Sequence, residues 1–118
     1  MTMSNTAKSA PSEQRRKRRV TIPDHPQILD AHSGEVLGEL VNLSVDGLMA
    51  VSPVSIVCGT LCQMRIPLIC NGENVEIKVG AESLWSEDAN DSGSHWTGFQ
   101  IIDISPEHQA ILNAVVKD

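Results

Sequence analysis

The sequence has no tyrosine, one phenylalanine and two tryptophans. A core built from it must be aliphatic, and such a composition does not supply a ligand site made mainly of stacked rings. Its three cysteines, Cys58, Cys62 and Cys70, form no CxxC pair and have no histidine nearby at metal-ligand spacing, so no metal is expected. Cys62 and Cys70 share one parity with Met64, Ile66 and Leu68 and are expected in the core of a reduced, cytosolic protein. No stretch approaches the roughly 18 apolar residues of a membrane helix. The opening MTMSNTAKSAPSEQ lacks the apolar run of a signal peptide. No phosphate-binding P-loop and no nucleophile motif occur, and His25, His32, His95 and His108 are scattered. Nothing in the sequence brings Asp46 and Asp103 together as a carboxylate pair. Neither an enzyme nor a cofactor is expected.

Basic residues are also scarce after position 19. Residues 1–19 hold Lys8, Arg15, Arg16, Lys17, Arg18 and Arg19 against Glu13 alone, a net +5. Residues 20–118 hold Arg65, Lys78 and Lys117 against fourteen acids, a net −11. The whole chain stands at −6, which argues against a general nucleic-acid coat. A basic arm on an acidic body suggests either an anionic ligand at the arm or an arm lying against its own domain.

The 118 residues suit one domain. Residues 1–14 read as a disordered leader, and residues 15–118 as the folded unit with the basic arm at 15–19. Short extended segments follow: Val20 to Ile22, Gln27 to Ala31, Glu35 to Leu43, Gly47 to Val51, Leu61 to Ile69, Val75 to Trp85 and His95 to Asp103. Pro23 and Pro26 break the first of these, because proline cannot donate to a sheet ladder. Asn71-Gly72 signals a two-residue hairpin, and the polar run from Glu87 to Ser94 a loop. Ser105, Pro106 and Glu107 mark a helix start over 106–116, with an apolar stripe at Ile111, Leu112, Val115 and Val116. His108, in its first turn, is expected to face solvent. The economical architecture is a six- or seven-stranded antiparallel β-barrel with one C-terminal α-helix, since closure removes exposed edges.

Two segments carry chemistry. In Gln14-Arg15-Arg16-Lys17-Arg18-Arg19, each guanidinium offers a planar fork of donors that pairs bidentately with phosphate and stacks on a base. Arg15 and Arg19, four residues apart, can clamp one compact ligand if the arm bends around it. In Asn42-x-Ser44-x-x-Gly47, the amide and hydroxyl can read a base edge, and glycine allows φ > 0 or close backbone approach. Taken alone, the first pattern also fits a solvated arm, and the second a tight turn in which Asn42 and Ser44 cap their own backbone.

Together, an RxxxR arm just before the first strand and an [D/N]xSxxG loop some two dozen residues later resemble the PilZ domain, the bacterial family that binds cyclic di-GMP. The resemblance runs over roughly residues 15–116 and takes in Val79-Gly80-Ala81-Glu82-Ser83-Leu84-Trp85, Gly98-Phe99-Gln100-Ile101 and Ser105-Pro106-Glu107. It implies that Arg15 and Arg19 contact guanine and phosphate, with Asn42, Ser44 and Gly47 closing the other side. Arg16 and Arg18 lie outside the strict motif and could each add a phosphate contact. Trp85 stays open between a ligand contact and core or rim packing; Trp96 is expected to be structural.

On that resemblance the ligand neutralises an arm held mobile by its own like charges, orders it, and creates a surface for a downstream protein. Non-specific polyanion binding through the arm and a nucleotide-independent adaptor are the rivals. The partner, the oligomeric state and the choice between one bound dinucleotide and two stay open in the sequence.

Overall fold

The computed structural model describes residues 19–89 and 93–117. The expected leader and the arginines Arg15, Arg16 and Arg18 lie outside the described residues. Seven strands form a single antiparallel sheet: β1 (Val20–Thr21), β2 (Gln27–Asp30), β3 (Val36–Leu43), β4 (Gly47–Ser52), β5 (Leu61–Cys70), β6 (Glu73–Asp88) and β7 (His95–Ile104). Their order is β1-β3-β2-β5-β6-β7-β4, and β4 returns to pair with β3. Six strands therefore close into a barrel, with β1 a short extra strand alongside the end of β3. One helix, α1 (Pro106–Val116), follows.

Alternation explains the core. Met64, Ile66 and Leu68 of β5 and Ile77, Val79 and Ala81 of β6 are buried, as are Ile28, Leu40, Leu43, Leu48 and Phe99 from the other strands. Full burial of a side chain of this size contributes about 1.5–3 kcal/mol, so the aliphatic interior holds the barrel together. Cys62, near the start of β5, is half-buried and packs against this layer as expected, whereas Cys70, half-buried at the other end of β5, does not join it. Partial burial, reinforced by the charge of Asp30, raises the Cys62 thiol pKa.

Asn71 and Gly72 both take left-handed backbone, φ 54° and 82°, the pair of positive values that a two-residue hairpin turn requires. β6 runs further than expected, since Glu87 and Asp88 still pair with Trp96 and His95. Ser105 caps α1 by accepting the His108 N–H at 3.2 Å, with Pro106 opening the helix. Leu112 and Val116 are buried against the core. His108 does not face open solvent: its Nδ1 accepts the backbone N–H of Lys78 at 3.0 Å, tying α1 to β6.

Candidate functional site

Two bulges shape the outer face of the barrel. Between β3 and β4, Leu40 pairs with Ala50 and Asn42 with Met49, which leaves Val41 as an extra residue. Strict alternation would put Leu40 and Asn42 on one face. The bulge instead sends Leu40 and Leu43 inward and Asn42 outward, while the Val41 carbonyl accepts the Ile22 N–H at 2.9 Å. Between β6 and β7, Ser83 pairs with Phe99 and Trp85 with Gly98, which makes Leu84 the extra residue. Ser83 stays inside at 1% exposure, whereas Leu84 and Trp85 are exposed. Re-aiming a side chain is a recurrent use of bulges.

The consequence is a row in register across five strands. Thr21 pairs with Asn42, Asn42 with Met49, Met49 with Gly98 and Gly98 with Trp85. Around that row lies an open recess of about 260 Å³. Arg19 and Asn42 form one rim, Leu84 and Trp85 the other, and Met49 and Gly98 lie between them over the buried Leu48 and Phe99. The Arg19 guanidinium Nη1 donates to Asn42 Oδ1 at 2.8 Å, on exposed ground. Two residues 23 positions apart in sequence, one from each motif, thus meet at the same rim. An arginine fork and an amide beside an apolar floor can hold an anionic, planar ligand.

Ser44 and Gly47 take another place. Ser44 is fully buried; its hydroxyl donates within the β3–β4 turn, 3.0 Å from Asp46 Oδ1 and 3.2 Å from the Gly47 carbonyl. A β-carbon on Gly47 would lie 2.7 Å from the Phe99 carbonyl oxygen, so glycine is what lets β4 and β7 approach. Neither lines the recess. Their geometry is that of the tight turn that follows Asn42 at the end of β3. Met49, Leu84 and Gly98 were not singled out from sequence, because only strand register brings them beside Asn42 and Trp85.

A larger recess of about 480 Å³ runs between the β1–β2 connection, β5 and the end of α1. Its walls are mostly apolar, among them Val20, Ile22, Pro67, Leu68 and Val115, and the one charged residue on them is Asp24. Among the described residues no cation lines that recess, so the smaller one is the better match to the arm's chemistry. Among the described residues no group of three or more His, Cys, Asp or Glu could hold a metal ion. No helix among them is long and apolar enough to cross a membrane.

The PilZ domain model matches residues 13–118. The chain belongs to the PilZ domain family. This PilZ chain has no match among curated proteins. Among solved structures it is similar to the Bacillus subtilis inhibitor of motility MotI/DgrA, at 17% identity and a TM-score of 0.69, with 86% of this chain and 49% of that one covered. It therefore spans about half the length of the Bacillus protein. It is also similar to the PilZ domain of Escherichia coli YcgR, solved with c-di-GMP, at 18% identity and a TM-score of 0.62, with 87% and 88% covered. At these identities the two structures bear out the barrel with its terminal helix.

Proposed function

We propose that this PilZ domain is a non-catalytic receptor for cyclic di-GMP. The observation that carries the reading is the Arg19–Asn42 hydrogen bond at the rim of the recess, which joins the arm to the signature loop in a family with a member solved with that dinucleotide. Cyclic di-GMP carries two phosphates and two guanines. Arg19 exchanges the Asn42 carbonyl for a ligand phosphate or for guanine O6 and N7, adjacent acceptors that a guanidinium bridges. Each charge-assisted bond gained is worth on the order of 1.5–3 kcal/mol net.

Arg15 closes on the same ligand from the arm, and Arg16 and Arg18 supply further positive charge. Asn42, released from Arg19, reads a base edge. Ser44 and Gly47 act by holding the turn in shape. Trp85 walls the opposite rim and meets the ligand there. The relay is the arm drawn over the recess, so that protein and nucleotide together present a new face to a downstream protein in the cytoplasm.

Titration of cyclic di-GMP by calorimetry, with wild type beside an Arg15→Ala, Arg19→Ala variant, tests the reading. Micromolar or tighter binding that the variant loses supports it, and the stoichiometry distinguishes one bound molecule from two. A folded wild type that binds none would overturn it and leave the adaptor reading in front.

A further inference from the structure

We propose that Gly98 is a positioning residue: it seats the Trp85 indole face down on β7, so that the opposite face of the ring is a ready stacking surface for one purine base. The proposal rests on the reading of the recess as a dinucleotide site and adds a residue that neither motif contains.

The geometry is specific. A β-carbon at Gly98 would lie 2.5 Å from both Nε1 and Cε2 of Trp85 and 2.8 Å from Cζ2, closer than real carbons approach. Those three atoms are consecutive in the indole, and they are nearly equidistant from that point. A ring standing on its edge there would bring Cζ2 nearest of the three; a ring lying flat over the glycine leaves it slightly the farthest, as observed. Trp85 is the outward partner of Gly98 in the ladder, on the strand bulged at Leu84, and it keeps 40% of its surface exposed. Across the same recess stand Arg19 and Asn42, the groups that would hold phosphate and base edge. Any side chain at position 98 must lift the ring.

A flat, pre-placed indole loses little side-chain freedom when a base settles on it, and every base has a face to offer. That gives a chain with so few aromatics one stacking platform where it is needed. It also separates the work of the two rims: Arg19 and Asn42 meet charge and edge, and Trp85 meets the face.

The test is made on the full chain. In a Trp96→Phe background Trp85 is the sole tryptophan, so emission and acrylamide quenching report on it alone, without any ligand. Gly98→Ala is expected to shift the emission and raise quenching, because the ring leaves its seat. In calorimetry, Gly98→Ala is expected to weaken cyclic di-GMP binding about tenfold, the scale of one base–aromatic stack. The same substitution placed on Trp85→Ala is expected to cost nothing further. Equal losses in both backgrounds would mean that Gly98 acts on the strand rather than through Trp85 and would overturn the proposal. If Gly98→Ala alone is too unstable to study, the seat predicts that adding Trp85→Ala restores folding; no restoration would overturn it. Unchanged quenching in Gly98→Ala removes the seat whether or not the nucleotide binds, whereas a wild type that binds no cyclic di-GMP removes the function and with it the stacking role.

Discussion

At the scale of single residues, exposure separates side chains that can meet a ligand from side chains that make the meeting place. Ser44 is fully buried, and both of its hydroxyl contacts close the β3–β4 turn. Ser44→Ala leaves the Gly47 carbonyl with one donor fewer and is expected to lower unfolding free energy by about 1 kcal/mol, read from urea denaturation. Asp30 is a contrasting case at the surface. Its Oδ1 accepts the backbone N–H groups of His32 at 2.7 Å and Ser33 at 3.2 Å, and these two bonds hold its carboxyl below the ordinary value. A depressed folded pKa stabilises the fold at pH above the unfolded value, about 3.9, and that contribution disappears as pH falls through the folded one. The gap in melting temperature between wild type and Asp30→Ala is therefore expected to be constant near neutrality and to narrow in acid. A gap that widens in acid contradicts the assignment.

At the scale of elements, the helix and the bulges show what sequence can carry. Helix α1 is capped by local chemistry and held by distant packing, and the two contributions differ in size. Ser105→Ala removes the acceptor for the His108 N–H and is expected to cost about 1 kcal/mol. Leu112→Ala opens a hole in the core, where Leu112 is fully buried, and is expected to cost about 2–5 kcal/mol. Thermal or chemical denaturation of the pair checks the ranking, and an equal loss would mean that packing does not dominate the hold on the helix. The start of α1, the Asn71-Gly72 turn and the alternation of Val75, Ile77, Val79 and Ala81 were legible because each is a pattern of neighbours. The barrel followed from the number and shortness of the strands. Arg19 and Asn42 were legible as members of short motifs. The direction of Trp85 was not, since alternation carried past Ala81 points it inward with Ser83. One extra residue, Leu84, reverses that, and a leucine in a bulge looks like any leucine in a strand. Met49 and Gly98 were hidden for the same reason: register is a property of strand pairs, set here by the bulges in β3 and β6. Glu87 and Asp88 read as loop by composition, yet their ladder partners carry the strand through to Asp88, three residues past Trp85.

At the scale of the whole molecule, the charge distribution sets how an anion reaches the recess. The body beyond residue 19 carries a net −11 and repels a dinucleotide phosphate, while the first nineteen residues carry +5. On the proposed reading, binding through the arm is therefore a local interaction working against an unfavourable background. Salt screens both, but attraction at contact distance acts between closer charges than repulsion from a dispersed acidic surface. Between about 0.1 and about 1 M salt the Debye length contracts from roughly 10 to roughly 3 Å. Over that range the affinity for cyclic di-GMP is expected to fall only gently, and far less than a counterion-releasing polyanion binder would show. The control is a variant of equal charge change. Arg65→Ala, Lys78→Ala removes the same formal charge as Arg15→Ala, Arg19→Ala, but Arg65 already pairs with Glu76 at 3.1 Å on the β5–β6 hairpin and neither residue lines the recess. Calorimetry at several salt concentrations is expected to show near wild-type affinity for that control and loss for the arm variant. If both variants weaken binding alike, net charge rather than the Arg19–Asn42 rim governs recognition, and the polyanion reading regains its place. If the control binds normally while the arm variant does not, the location of the charge matters and its sum does not, as expected of an arm that carries its positive charge to a prepared recess.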